Sequence, residues 1–182
     1  MRSAVRKHVV KTFQREFERQ YPQFSLLKLP SGTPKVWEWR VAPNLHYFVL
    51  LQPFRQEDIF VLEIAWSEDG AFPWANMGGV FAPDKPHWRR RLGWLWQPHG
   101  EEPVWDAAPE VGEARQARFD AMLRHEEVSY PAPPAVDVVI PRIAPLVHDC
   151  LEKFREYGLP IFNEVAQHRG LGVLVQPSSD NR

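Results

Sequence analysis

The sequence predicts an α+β protein: an antiparallel β-meander of about four to six strands, packed on one face by an N-terminal helix and by C-terminal helices. Three observations predict this class. An apolar stripe at helical spacing opens the chain, several short alternating segments separated by turn residues follow, and a longer helical stripe lies near the end. Because the links between the alternating segments are short, neighbouring strands are expected to be antiparallel.

The first helix is predicted over Ser3–Gln20. Its apolar residues recur at every fourth position, at Val5, Val9, Phe13 and Phe17, which is typical of a helix that packs one stripe against a core. Six cations lie mostly off this stripe: Arg2, Arg6, Lys7, Lys11, Arg15 and Arg19. They suit an acidic partner or a nucleic-acid backbone, although a solvated outer face explains them more simply.

Four strands are predicted next, each rich in β-branched or aromatic residues. They cover Phe24–Leu29, Val36–Val41, His46–Gln52 and Ile59–Trp66. The last two form a central hairpin, and its second strand has two distinct faces because side chains alternate. One face carries Phe60, Leu62, Ile64 and Trp66 and is expected to hold the main core. The other carries Ile59, Val61, Glu63 and Ala65, and this mixed face contains a carboxylate.

An irregular tryptophan-rich insertion is predicted over 72–105. Five of the eight tryptophans of the chain lie in it, together with several prolines and glycines that forbid a long helix. A segment of this length without periodicity is expected to be functional or to pack upon itself. Leu92–Trp96 is predicted as a short strand within it.

The last third of the chain is predicted to be mainly helical. The expected elements are a helix over Glu110–Glu127, a stiff linker over Tyr130–Pro134, a helix over Val139–Tyr157, a short helix over Ile161–Gln167 and an edge strand over Leu171–Val175. Gly158 and Pro160 are expected to stop the long helix. The interpretation is a single domain over 1–176 with a frayed tail at 177–182.

Composition excludes several classes of protein. The chain has 182 residues and a net charge of −1, which argues against a generally basic nucleic-acid binder. A single cysteine, Cys150, excludes an internal disulfide framework and, with no signal-peptide pattern, favours the cytoplasm. No apolar run approaches the ~20 residues that span a bilayer. Cys150 falls on a helical apolar stripe, so it is expected to be an inert core thiol.

Motifs for cofactors are missing from the sequence. There is no phosphate-binding loop, dinucleotide fingerprint, CxxC pair or HExxH sequence. No cofactor and no metal site are therefore predicted.

Three pieces of the chain carry a resemblance to a known family. They are the amphipathic first helix, the strand IFVLEIAWS and the pattern LEKFREYGLPIF. Together they cover about a third of the chain, and its order of helix, meander, loop and helices resembles an uncharacterised bacterial family catalogued as domain of unknown function 4304. The resemblance implies a fold but no established activity, and the tryptophan-rich insertion departs from that family.

The leading functional hypothesis is a non-catalytic protein-binding module, immunity-like or an assembly partner. Its candidate binding residues mix cations with flat aromatic rings, as protein interfaces do: Trp88, Arg89, Arg90, Arg91, Trp94 and Trp96. The same mixture suits single-stranded nucleic acid, read by Arg89–Arg91 with Trp94 and Trp96. The plainest alternative is that these indoles pack over the sheet as a second, minor core.

An enzyme is the third hypothesis. Glu63, His46 and Arg40 are expected on one sheet face, where a carboxylate, an imidazole and a guanidinium could form a polar pocket. A solvated outer face with weak cross-strand ion pairs is the simpler interpretation. The sequence therefore leans away from catalysis.

Overall fold

The computed structural model describes residues 1–54, 58–75, 81–99, 103–108, 117, 120–126 and 134–173. The helical elements are α1 (Ser3–Gln20), α2 (Gly93–Trp96), α3 (Val136–Lys153), a π-helical turn (Phe154–Gly158) and α4 (Leu159–His168). The strands are β1 (Ser25–Leu26), β2 (Lys35–Ala42), β3 (Leu45–Pro53), β4 (Ile59–Ser67), β5 (His87–Arg91) and β6 (Trp105–Asp106).

An antiparallel sheet in the order β1-β2-β3-β4-β5 forms the frame, and β6 also pairs with β4. With the helices at the two ends of the chain, this arrangement confirms the predicted α+β class. Tyr47 of β3 lies opposite Trp66 of β4. This register puts Phe60, Leu62, Ile64 and Trp66 into one apolar cluster with α1, α3 and α4, which confirms the predicted core face. We call this side of the sheet the helix face and the other side the far face.

Two parallel helices cover the helix face. At its start α1 is tied to the segment that precedes α3, because the Arg2 guanidinium donates to the carbonyl of Pro134, two residues before Val136. Near the end of α1, Phe17 packs on Phe154, with ring centroids 5.8 Å apart. Phe17 also packs on Trp37 of β2 at 5.4 Å. The predicted apolar stripe of α1 is therefore fully buried between the sheet and α3.

Asp58, just before β4, holds the N-terminus of α1. One carboxylate oxygen accepts the Arg2 amide at 3.2 Å and the other accepts the Arg2 guanidinium at 2.6 Å. The helix has no side-chain cap of its own, so this distant carboxylate supplies the acceptor that the exposed N–H groups of a helix start require.

The sequence predicted that the long C-terminal helix stops at Gly158, but the helix continues past that residue. Instead a π-helical turn joins α3 to α4, and the Leu159 amide donates to the Phe154 carbonyl. Pro160 has no amide hydrogen, and its ring would clash with the carbonyl of Glu156 in a regular α-helix. The wider turn relieves that clash while the helix continues.

Tyr47 anchors the helix that follows this turn. Its hydroxyl donates to the Phe162 carbonyl at 2.6 Å, and its ring stacks on the Phe162 ring at 4.3 Å. The phenol is buried, and burial raises its pKa. The contact joins the middle of the sheet to α4 across more than a hundred residues of chain.

The predicted strand Leu92–Trp96 is wrong. The strand lies earlier, at β5, and the Leu92 amide closes its ladder by donating to the Leu62 carbonyl at 2.7 Å. The next four residues form the short helix α2. Gly93 lies so close to Pro103 that a Cβ there would be 2.7 Å from the Pro103 carbonyl oxygen, so the chain turns at this point instead of extending the sheet.

Some predicted elements fall partly outside the described residues. Of the helix expected over Glu110–Glu127, residues 117 and 120–126 are described, and 120–123 are helical. Leu171–Val173 are not a strand and are exposed, whereas 174–175 lie outside the described residues, as do the tail at 177–182 and residues 130–133 of the linker.

On the far face β4 is not solvated, which corrects the simpler interpretation of its mixed face. All nine residues of β4 are buried, on both faces of the strand. A second apolar cluster lies on the far face and contains Val36, Phe48, Leu50, Ala65 and Phe72. Because Phe72 comes from the tryptophan-rich insertion, that insertion packs back onto the sheet.

Candidate functional site

The run of arginines in β5 is divided between the two faces of the sheet. Trp88 lies opposite Trp66, and Arg90 lies opposite Ile64, so both belong to the helix face. Arg89 and Arg91 alternate to the far face, where Arg91 lies opposite Glu63. The three guanidinium groups therefore do not form one continuous cationic surface, because successive side chains of a strand point in opposite directions.

Trp88 is a core residue. Its ring stacks on Trp66, with centroids 4.8 Å apart, and meets Phe81 edge-on at 5.6 Å. It is 3% exposed, so a partner cannot reach its indole in the folded protein. Trp88 therefore belongs to the main core on the helix face and not to a second, minor core.

Glu63 and Arg89 form a buried ion pair on the far face. Glu63 is 0% exposed and Arg89 is 7% exposed. The Arg89 Nε donates to Glu63 Oε2, and its Nη1 donates to the Trp74 carbonyl at 2.7 Å. The Arg91 Nε lies 3.7 Å from Glu63 Oε1, and within the described part of the chain this oxygen accepts no hydrogen bond.

Two rings cover the Arg89 guanidinium. Its carbon lies 5.1 Å from the Phe72 centroid and 5.8 Å from the Trp74 centroid, distances at which a cation is attracted to an aromatic face. The Trp74 ring itself is 48% exposed. Arg89 thus fastens the start of the insertion to the sheet and keeps one indole at the surface.

A second polar pair lies on the far face, at the other end of the strands. His46 Nδ1 is 2.6 Å from Glu38 Oε1, and the exposed Arg40 is directly opposite His46 in the β2–β3 ladder. Gly70, with φ +76°, covers the imidazole so closely that a Cβ would lie 3.1 Å from its Cε1. Only a residue without a side chain fits there at such a φ.

The residues of the predicted sheet-face pocket share one face but do not converge. His46 lies opposite Ser67, four residues along β4 from Glu63. At ~3.4 Å per residue this is a separation of roughly 14 Å along the strand. Glu63 contacts arginines and His46 contacts Glu38, so the structure contains two separate polar pairs instead of one pocket.

Trp96 belongs to a different, surface-level group at the joint between α2 and the π-helical turn. Its ring centroid is 5.6 Å from that of Tyr157 and 5.8 Å from that of the buried Trp105. The Lys153 ammonium lies 6.0 Å from the Trp96 centroid and 5.3 Å from the Tyr157 centroid. We call Trp96, Tyr157, Lys153 and Glu156 the Trp96 surface.

The Trp96 surface is supported by the buried Trp105 and carries one positive and one negative side chain. The Trp105 indole donates to Asp149 Oδ2 at 2.8 Å, which fixes the ring under Trp96. Lys153 donates to Glu156 at 3.0 Å, and this hydrogen bond raises the pKa of the ammonium group. Trp96 and Tyr157 are half-buried, so both side chains are partly accessible.

Trp94 does not join this group. In a strand Trp94 and Trp96 would share a face, but in α2 residues two positions apart are rotated by about 200°. Sequence reasoning also missed Tyr157 and Lys153. The signal available was Pro160, four residues after Glu156, which indicates an interruption of regular α-helical hydrogen bonding beside these residues.

Metal binding and membrane crossing find no support in the described ranges. No group of three or more His, Cys, Asp or Glu side chains is placed there to hold a metal ion. None of the helices described is both long enough and apolar enough to cross a bilayer.

Comparisons of the chain with protein-family models, with curated proteins and with solved structures give no match. The resemblance to domain of unknown function 4304 therefore stays a prediction.

Proposed function

We propose that this protein is a non-catalytic protein-binding module whose partner docks on the Trp96 surface. The observation that carries the proposal is the pair of half-buried aromatic residues, Trp96 and Tyr157, at a 5.6 Å centroid distance with Lys153 over both rings. In keeping with the family resemblance and the single buried Cys150, the module is proposed to act in the bacterial cytoplasm as an immunity-like or assembly factor.

Rigidity supports a role in recognition. An aromatic anchor gains most when binding does not have to order it first. Trp96 rests on Trp105, which Asp149 fixes by a hydrogen bond. Lys153 and Glu156 flank the rings with one charge of each sign, and rim charges of this kind orient an approaching partner.

The two alternative functions have less support. Two arginines of the proposed nucleic-acid surface, Arg89 and Arg91, are engaged by Glu63, which lowers the charge left for phosphates. In the enzyme alternative, Gly70 covers the imidazole of His46. His46 also lies too far from Glu63 for the two side chains to act together as an acid–base pair. Neither arrangement favours the alternative over protein binding.

The test is affinity capture with the full chain from an extract of the native host, read by quantitative mass spectrometry. Trp96→Ala is expected to lower recovery of the specific partner about tenfold or more, because a central aromatic anchor contributes ~2 kcal/mol or more. Trp74→Ala is the matched control, since Trp74 is a half-exposed indole on the opposite side of the sheet. It is expected to retain the partner.

A charge variant at the edge of the Trp96 surface distinguishes a loss of binding from a loss of folding. Lys153→Glu removes no packed ring, so thermal unfolding is expected to stay close to wild type while the association rate falls. A partner retained by both Trp96→Ala and Lys153→Glu would contradict the proposed surface. Loss with Trp74→Ala alone would move the binding site to the far face.

A further inference from the structure

The outer side of α1 carries a row of four cations. Lys7, Lys11, Arg15 and Arg19 are spaced four residues apart, and all four are exposed. Residues at this spacing lie one above the other along a helix. With ~1.5 Å of rise per residue, the row is about 18 Å long with a cation roughly every 6 Å.

Only the cations at the C-terminal end of this row have carboxylate partners within α1. Arg15 and Arg19 share Glu16, at 2.8 Å and 2.9 Å. For Lys7 and Lys11 no carboxylate partner is found among the residues described, and the first turn of α1 has no acidic residue. The helix dipole does not favour cations in this half of the helix.

The four cations are concentrated on one face of α1, although the chain as a whole is nearly neutral. The net charge is −1, so a cluster of cations on one helix face does not follow from a generally basic composition. Asp58, which binds Arg2 at the start of α1, neutralises a cation outside the row. The electrostatic potential over the exposed side of α1 is therefore positive on a protein that is nearly neutral overall.

We propose that this row docks an acidic protein segment that presents carboxylates at matching spacing, such as one face of a Glu-rich helix. Four carboxylates along such a face would meet four cations at the same ~6 Å interval. None of the four cations belongs to the Trp96 surface, so this proposal does not depend on that surface.

Other polyanions fit the row less well. The remaining residues exposed on α1, Ser3 and Ala4, offer no aromatic ring for stacking bases. The helix lies flat against Trp37 and α3, so it does not project as a groove-reading helix must. Its apolar stripe is fully buried, which leaves no apolar face to insert into a lipid surface.

The test uses two synthetic helical peptides of equal length and composition, each with four glutamates. One places the glutamates at every fourth position on one face, and the other spreads them around the helix. Fluorescence anisotropy at low salt is expected to show about tenfold tighter binding of the single-face peptide, since several weak surface ion pairs add up. Raising the salt should remove most of this difference.

Charge reversal in the protein locates the site. Lys7→Glu/Lys11→Glu is expected to lower the affinity for the single-face peptide about tenfold, with an unchanged circular dichroism spectrum. Arg142→Glu/Arg155→Glu is the matched control. It makes the same change in charge at exposed positions of α3 and the π-helical turn and is expected to retain binding.

Three results would overturn the proposal. Equal affinity for the two peptides would mean that only total charge matters, and equal loss with both double variants would mean that the row is not the site. The third is tighter binding of a 20-base-pair DNA duplex or of anionic phospholipid vesicles, abolished by Lys7→Glu/Lys11→Glu. That result would assign the row to nucleic acid or to lipid instead.

Discussion

Both faces of β4 are buried, but the two faces of the sheet are held by different forces. On the helix face, rings from α1, β3, β4 and α4 fill one large apolar cluster. On the far face, the apolar cluster is small and sits beside two polar pairs, Glu63–Arg89 and Glu38–His46. The helix face therefore depends mainly on packed volume, and the far face depends also on matched charges.

This difference teaches how the tryptophan-rich insertion is used. Strand β5 contributes side chains to both faces of the sheet, with Trp88 on the helix face and Arg89 on the far face. The helical turn after it places another indole, Trp96, beside Tyr157. Aromatic and cationic residues close together in the sequence thus have separate structural and proposed binding roles.

The largest expected effect is on the helix face. Trp66→Ala removes a ring that is 0% exposed and stacked on Trp88, so the free energy of unfolding should fall by about 3–5 kcal/mol. Chemical denaturation measures it. The control Trp74→Ala removes an equal ring that is half-exposed and should cost under about 1.5 kcal/mol. Equal losses in the two variants would refute the distinction between core and surface indoles.

The second effect tests the charge pair of the far face. Glu63→Leu leaves the buried Arg89 without its carboxylate and should lower the free energy of unfolding by about 3 kcal/mol. In the double variant Glu63→Leu/Arg89→Met both charges are gone, and at least half of that loss should return. A double variant less stable than the single one would contradict this expectation, because Arg89 would then stabilise the fold even without the Glu63 carboxylate.

The smallest expected effect on stability concerns Gly70, which packs against the imidazole of His46. Gly70→Ala combines a φ of +76° with a Cβ 3.1 Å from the imidazole, and about 1–2 kcal/mol of stability should be lost. Gly32→Ala is the matched control, because its φ of +91° carries the backbone strain while no atom lies within 4 Å of the added Cβ. Only Gly70→Ala should move the His46 ring resonances in an NMR spectrum. Identical spectra would mean that the turn does not press on the ring.

Much of the fold could be predicted because local periodicity is strong. The stripe of α1 and the alternation of β4 assigned Phe13 and Trp66 to the core correctly. The same reasoning placed Cys150 on a buried stripe, where burial raises the pKa of its thiol. It failed at Gly158, where a π-helical turn lets the helix continue past Pro160, and at Leu92–Trp96, where Gly93 packs on Pro103.

Much less of the candidate site could be predicted. The arginine triplet looked like one surface because the strand was predicted at Leu92–Trp96, whereas β5 contains the triplet and its alternation divides it. Tyr157 was not connected with Trp96 because the two residues are far apart in the chain, so no window of sequence contains both.

The sequence by itself determined the direction in which each side chain leaves its own strand or helix, because alternation and helical spacing are properties of a few neighbouring residues. Only the tertiary structure decided what lies above each side chain. Glu63 points to the far face in either case, but it is buried because Arg89, 26 residues later, and Phe72 close over that face. Burial is a property of the assembled layers, and it depends on segments that meet only when the chain has folded.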